Sequence, residues 1–123
     1  MRALLSSRPR FVDAILSGDK RFEYRRNIFR RAVSVVLVYA TAPVCRVVAE
    51  FRVGGVLCAS PGDLWRKTRT AAGIDETSFF EYFVGRALGY AITIEDVKCY
   101  SRTFHPIDRF GVRPPQSFLY LPS

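Results

Sequence analysis

The chain has 123 residues, a mass of 14.0 kDa and 49% apolar residues, so it can bury a core without disulfide or metal staples. Its 10 Phe and 6 Tyr exclude a disordered or low-complexity chain, because that much apolar surface collapses in water. Nineteen basic and eleven acidic residues give a net charge of +8. This predicts a positive face for nucleic acid, an anionic membrane or an acidic partner, the alternative being a surface kept soluble by arginine.

The first half of the chain predicts one helix among several strands. Pro9 presets the backbone of a first helical turn, apolar residues follow at helical spacing, and Gly18 ends the helix, which covers about residues 9–17. Gly54 and Gly55 mark a bulge or a sharp bend in a strand region. The predicted strands of this half cover residues 4–5, 19–26, 33–39, 47–53 and 56–58.

The second half predicts two helices and two strands. Ser60 begins a helix that runs to residue 71 or 72, and Asp75 begins a second helix that ends at Gly85. The remaining segments are a long strand at 89–100, an irregular stretch at 101–113 and an edge strand at 114–120. These elements predict a single domain over residues 1–123 with an α+β fold, in which a small barrel-like sheet has helices packed outside.

Cysteine and histidine usage argues against a metal site. Cys45, Cys58 and Cys99 lie in or beside apolar runs and form no CxxC pattern, so we expect buried thiols. His105 stands alone, and we expect an ordinary loop histidine, the alternative being the general base of a ribonuclease. The sequence predicts neither a metal nor a cofactor.

Two further patterns bear on location. The longest apolar stretch, residues 32–45, is too short and too rich in Ser and Thr for a membrane span. Arg8 and Arg10 precede any apolar segment that a signal peptide needs. We therefore expect no membrane association and a cytoplasmic location.

Residues 20–31 form the densest charge cluster of the chain, with six basic side chains around the single acid Glu23. Phe22 and Tyr24 alternate with these cations, and single-strand binders need both phosphate attraction and stacking surfaces. Glu23 lies between Arg21 and Arg25 on one strand face, which predicts an ion pair. A solvated charged strand is the alternative interpretation.

The run from Gly18 to Arg25 matches GxKxxExR and directly follows the first helix. In this the chain resembles the ASCH domains, which are members of the PUA-like superfamily. The resemblance covers nearly the whole chain and implies a PUA-like pseudo-barrel. Further segments that resemble family landmarks, in family order, are Arg8-Pro9, Tyr39 to Pro43, Ala49 to Phe51, Gly89 to Ala91 and Pro114 to Phe118.

The resemblance also implies a cleft between the first helix, the motif strand and the turn that carries Thr41. In that cleft Lys20 would meet a phosphate or carbonyl oxygen, and Glu23 would orient the cations or accept a hydrogen bond from a base. Aromatic stacking would come from Tyr39 and Tyr90, unless both are core residues. The remaining implied ligand-binding residues are Arg8, Arg25 and Arg26 as anion contacts, with Thr41 and Ser117 as donors unless they only cap turns.

Three functional hypotheses follow. The first is a module that binds RNA, another single-stranded nucleic acid or a nucleotide in this basic cleft. The second is a small hydrolase or ribonuclease, with Lys20 and Glu23 as catalytic residues, that acts on RNA or a modified nucleoside. The amidohydrolase reaction of one branch of the family is disfavoured. That branch uses a lysine, a threonine three residues later and a glutamate in the helical insertion. This chain has Glu23 in place of the threonine, and residues 67–74 hold no carboxylate. The third is a protein partner bound by the basic face.

Overall fold

In this computed structural model, which describes residues 1–122, strands form one mixed sheet and helices pack outside it. The strands are β1 (Arg2–Ser7), β2 (Phe22–Arg25), β3 (Val35–Ala40), β4 (Arg46–Ala59), β5 (Gly89–Phe104) and β6 (Phe118–Leu121). The helices are α1 (Pro9–Ser17), α2 (Pro61–Thr68), α3 (Glu76–Tyr82) and α4 (Pro106–Phe110), and a 3-10 turn, Arg69–Ala71, follows α2.

The sheet has the order β2-β5-β4-β3-β1-β6. Strands β1 and β3 are parallel, and the other neighbouring pairs are antiparallel. Strands β2 and β6 are the two edges, and the Arg25 side chain donates a hydrogen bond to Ser117, just before β6. The sheet therefore curls towards closure, which confirms the predicted α+β pseudo-barrel with external helices.

Three apolar clusters hold these elements together. Leu5 belongs to the cluster under α1, while its neighbour Leu4 belongs to the cluster on the opposite face, because successive strand residues point to opposite sides. A third cluster joins α2 and α3 to the edge of the sheet at β2 and β5. Its buried members are Tyr24, Leu64, Ala72, Phe79, Phe83 and Ala91.

The helix ends follow local sequence rules. Helix α1 begins at Pro9, buries Val12 and Ile15 against the sheet, and ends where Gly18 adopts a left-handed φ of 88°. Ser60 caps α2 by accepting a hydrogen bond from the backbone N–H of Asp63, and Asp75 caps α3 in the same way. The predicted starts of these three helices are confirmed.

Two local predictions are wrong. The stretch 101–113 is not irregular throughout, because β5 continues to Phe104 and α4 follows it. The three cysteines are exposed and free, not buried. Cys58 and Cys99 lie on β4 and β5, where alternate side chains turn to solvent, and Cys45 lies in the connection between β3 and β4. None of the helices within residues 1–122 has the length and apolar character needed to cross a membrane.

Candidate functional site

A cavity of about 800 Å³ opens beside the N-terminus of α1. Its walls come from α1, from β2 and its flanks, from the turn after β3, from α3 and from the segment before β6. The structure brings together here seven of the residues that the sequence selects, namely Arg8, Lys20, Glu23, Arg25, Arg26, Thr41 and Ser117. We refer to this cavity as the cleft.

Tyr39 and Tyr90 lie outside the cleft, contrary to the stacking role that the resemblance implies for them. Tyr39 is only 6% exposed and packs in the cluster that faces away from α1, with its ring edge against His105. The reason is strand alternation, because Val38 and Ala40 point into the α1 cluster and Tyr39 must point the other way. Tyr90 is half-buried on β5, beside Arg25 of β2.

Lys20 lies on the cleft floor and is 3% exposed. Its Nζ donates a hydrogen bond to the Ala72 carbonyl at 2.9 Å and lies 4.6 Å from the centre of the Tyr24 ring. Burial lowers the pKa of the Lys20 ammonium, and the negative charge of Glu23 opposes that shift. The ammonium is thus held by a carbonyl and an aromatic face while it is withdrawn from bulk water.

The position of Lys20 depends on the chain that follows α2. Gly73 adopts a left-handed φ of +64°, and a Cβ built there would lie 2.4 Å from the Lys20 Cβ. Only a glycine combines that backbone conformation with so close an approach. Gly73 therefore lets the Ala72 carbonyl reach the Lys20 ammonium.

Glu23 is also on the cleft floor and is 6% exposed. Its Oε2 has no hydrogen-bond partner, and among residues 1–122 no basic nitrogen lies within the 4.0 Å of an ion pair. Burial raises the pKa of this carboxyl, against the opposing charges of Lys20 and Arg25. The predicted ion pair with Arg21 and Arg25 is wrong, because Arg21 is exposed and Arg25 instead donates to Ser117.

Two aromatic residues of the cleft were missed by the sequence analysis. Phe11 lines the cleft from α1, with the Lys20 Nζ 5.4 Å from its ring centre. Tyr82 lines the cleft from α3, its ring lies 4.7 Å from the Arg26 guanidinium, and its hydroxyl accepts the Arg26 backbone N–H. One feature of the sequence could have identified Tyr82. It lies three residues after Phe79, and so beside the apolar face that packs α3 on the sheet.

His105 does not line the cleft. Its Nδ1 accepts the backbone N–H of Ile107 at 3.2 Å, which caps α4. In the described part of the chain, no three His, Cys, Asp or Glu side chains lie close enough together to hold a metal ion. The reactive groups of the cleft are therefore the buried amine and the buried carboxyl on its floor.

Comparison with known proteins identifies the family. No protein-family model matches the chain. A protein of Zymomonas mobilis subsp. mobilis named ASCH domain-containing ribonuclease is 30% identical to it over an alignment of 127 positions. The alignment covers 97% of this chain and 83% of that protein. The chain belongs to the ASCH domain family.

Solved structures agree with this assignment of the ASCH domain. The crystal structure of ASCH from Zymomonas mobilis has a TM-score of 0.90 to this chain, with 29% identity over 99% of this chain and 88% of the other. Two single-residue variants of it also have a TM-score of 0.90, with 28% identity over 99% of this chain. In one variant a phenylalanine replaces a tyrosine, and the match covers 91% of that chain. In the other an alanine replaces a serine, and the match covers 89% of that chain.

The GxKxxExR residues of this ASCH domain have distinct structural positions. Gly18 ends α1, which turns the chain towards the cleft. Lys20 and Glu23 form the floor, and Arg25 lies at the wall nearest β6. An amine, a carboxyl and a guanidinium are thus held along the short edge strand β2 and the residues just before it, and side chains from both faces of the strand reach the same cavity.

Proposed function

We propose that this ASCH domain binds single-stranded RNA in the cleft. The supporting observation is charge combined with aromatic surface. The cleft is lined by six basic side chains, namely Arg8, Arg10, Lys20, Arg25, Arg26 and Arg86, against the acids Glu23 and Glu81. The rings of Phe11, Tyr24 and Tyr82 line it as well. Cations along a groove attract phosphates, and aromatic rings stack on exposed bases.

The size of the cleft favours an inserted nucleotide. A volume of about 800 Å³ falls in the range of sites that enclose a small molecule, roughly 300–1,000 Å³. Bases are free to enter such a cavity from a single strand, whereas a duplex keeps them stacked and paired. The name of the Zymomonas mobilis relative, a ribonuclease, supports RNA as the ligand class.

Salt dependence and a pair of matched variants test this proposal. Binding of a fluorescent single-stranded RNA is measured by anisotropy over a range of salt concentrations. We expect log K to fall steeply with log salt, and Arg26→Gln to weaken binding and reduce the slope by about one. Arg102→Gln, which removes the same charge at an exposed position outside the cleft, is the control. Equal losses in the two variants would mean that net charge, not the cleft, binds RNA.

A second function, RNA cleavage, is favoured by the buried pair on the cleft floor. Burial shifts the pKa of Lys20 downwards and that of Glu23 upwards, so the amine can take a proton and the carboxyl can give one. The RNA 2′-oxygen would attack the adjacent phosphorus and pass its proton to Lys20. The bond from phosphorus to the 5′-oxygen would break, and that oxygen would take a proton from Glu23. The products are a 2′,3′-cyclic phosphate and a 5′-hydroxyl.

Cleavage is tested with RNA and with DNA of the same sequence. We expect RNA to be cut and DNA to stay intact, because DNA lacks the attacking hydroxyl. Lys20→Met should abolish cleavage at saturating protein, while the exposed Lys67→Met should leave it unchanged. Cleavage that survives Lys20→Met would rule out this mechanism, and absence of cleavage by the wild-type protein would leave RNA binding as the function.

A further inference from the structure

We propose that the cleft floor distinguishes bases and prefers guanine, with Glu23 accepting from the guanine N1–H and N2–H and Lys20 donating to O6. This inference rests on the proposed binding of RNA in the cleft and names the nucleotide that the cleft takes. Because Lys20 and Glu23 contact the base here, it is an alternative to the cleavage chemistry described for these two groups above. It starts from two buried groups whose hydrogen-bonding capacity the protein uses only in part.

The carboxyl of Glu23 is the first of these groups. Among residues 1–122, its buried Oε2 has no hydrogen-bond partner, although Glu23 lines a cavity. Buried polar atoms in folded proteins nearly always have a partner, and a carboxyl without one costs free energy. A ligand that brings N–H donors to Glu23 would recover that free energy, and so the site is complete only when it is occupied.

The ammonium of Lys20 is the second group. An ammonium has three N–H donors, and the Ala72 carbonyl accepts one of them. Lys20 and Glu23 have opposite charges and share the cleft floor, yet they do not form an ion pair with each other. The bound molecule should therefore offer an acceptor to Lys20 and donors to Glu23 along a single edge.

The edges of the four bases fit these two groups unequally. Guanine has the O6 acceptor next to two adjacent donors, N1–H and the N2 amino group, which suit one carboxylate. Adenine and cytosine each offer one amino donor beside a ring-nitrogen acceptor. Uracil has a single N–H between two carbonyl oxygens, so one of these oxygens would face the carboxylate. The expected order is guanine first and uracil last.

The walls of the cleft support a base in this position. The Tyr24 and Phe11 rings lie near the Lys20 ammonium, and Tyr82 lines the cleft from α3. Flat aromatic surfaces around a buried polar pair are what a planar base requires. The exposed cations Arg8 and Arg26 lie at the rim, where the phosphates on either side of the inserted nucleotide would pass.

The test uses oligoadenylate RNAs that carry one central guanosine, inosine or uridine, with affinity measured by anisotropy at fixed salt. We expect the guanosine RNA to bind about tenfold more tightly than the uridine RNA. Inosine lacks the N2 amino group, so its RNA should lie between them. This comparison needs only the wild-type protein. In Glu23→Gln, which keeps the side-chain shape, the preference for guanosine over inosine should be lost.

The outcomes separate this inference from the function it rests on. Equal affinities for the guanosine and uridine RNAs, with binding intact, would overturn the guanine preference and leave RNA binding standing. A guanosine preference that persists in Glu23→Gln would overturn the assignment of Glu23 as the acceptor. Absence of binding to all three RNAs would overturn the proposed function and this inference together.

Discussion

Lys20 and Glu23 are charged side chains of opposite sign, and both are nearly excluded from water. Burial disfavours the charged form of each, which lowers the pKa of Lys20 and raises that of Glu23, while their mutual attraction works against both shifts. A fold has no structural need for such a pair, because apolar residues of similar volume are often at least as stable. Buried titratable groups with shifted pKa values cluster at functional sites, which supports Lys20 and Glu23 as functional residues.

The raised pKa of Glu23 predicts a pH-dependent stability. The folded state keeps the Glu23 proton to a higher pH than the unfolded chain does, so this group destabilises the fold as pH rises from about 4.5, the ordinary value. Glu23→Gln removes the effect. Its free energy of unfolding, measured in urea, should therefore improve relative to wild type as pH rises from 4 towards neutrality.

The exposed Asp13→Asn in α1 is the control for this measurement, and it should show little change relative to wild type over the same range. Lys20 and Arg25 face Glu23, and their charges oppose the rise in its pKa without reversing it. A difference between Glu23→Gln and wild type that is constant with pH would contradict the burial of Glu23.

Tyr24 predicts a second residue-level effect. Burial raises the pKa of Tyr24 to about 12, and the hydrogen bond that its hydroxyl donates to Thr68 at 2.7 Å opposes that shift. Tyr24→Phe should lower the free energy of unfolding by about 1 kcal/mol, because Thr68 loses a donor. The ring beside Lys20 remains, so RNA affinity should stay near wild type.

Urea denaturation measures the cost of Tyr24→Phe. The matched variant is Tyr90→Phe, since Tyr90 is half-buried and lies on the neighbouring strand β5. We expect this second variant to change stability by less than Tyr24→Phe does. Equal effects of the two substitutions would show that the contact with Thr68 adds nothing.

At the scale of elements, the helical pair α2 and α3 is as important for the cleft as the motif strand is. The chain after α2 supplies the Ala72 carbonyl to Lys20, and α3 supplies Tyr82. The backbone N–H of Arg21 donates to the Ala71 carbonyl at 2.9 Å, which fixes this chain against the motif. The insertion between β4 and β5 therefore shapes the floor and one wall of the cleft.

Gly73 allows a direct test of that coupling. Alanine at this position adds the strain of a left-handed φ and a clash with Lys20, and we expect it to lower the free energy of unfolding by about 3 kcal/mol. Because the clash displaces Lys20, RNA binding should weaken as well. The two measurements are urea denaturation and RNA anisotropy.

Gly111→Ala is the control for Gly73→Ala. Gly111 has a similar φ of +67°, but a Cβ built there meets no atom within 4 Å. We expect this variant to lose only about 1–2 kcal/mol, from backbone strain, and to bind RNA as wild type does. If Gly111→Ala weakened RNA binding as much as Gly73→Ala, general destabilisation would explain both losses.

The sequence predicts some of these elements better than others. Helix α1, the caps at Ser60 and Asp75 and the long strand β5 follow from local patterns, because proline, capping residues and strand alternation act over a few positions. The end of β5 and helix α4 were missed, since their residues pack against distant strands. The same limit explains Tyr82, whose place in the cleft depends on how α3 docks against β2.

For the whole molecule, the sequence gives the net positive charge but not the surface on which the basic side chains gather. The motif from Gly18 to Arg25 predicts both the family and a site near the end of α1, and its residues Lys20, Glu23 and Arg25 do line the cleft. Sequence alone could not predict that Lys20 and Glu23 are buried without forming an ion pair with each other. Their burial depends on α2, α3 and the turn at Thr41, which are distant in the sequence. It also could not separate Tyr39, which faces the other side of the sheet, from the aromatic residues of the cleft.

Photo-crosslinking with RNA that carries thiouridine tests whether RNA occupies the cleft, because the crosslinks locate the RNA on the protein. Crosslinked peptides are identified by mass spectrometry. We predict crosslinks at the cleft residues Phe11 and Tyr82, and their loss in the presence of excess unlabelled RNA. Crosslinks confined to the opposite side of the molecule, for example at Phe110 beside Arg2, would contradict it.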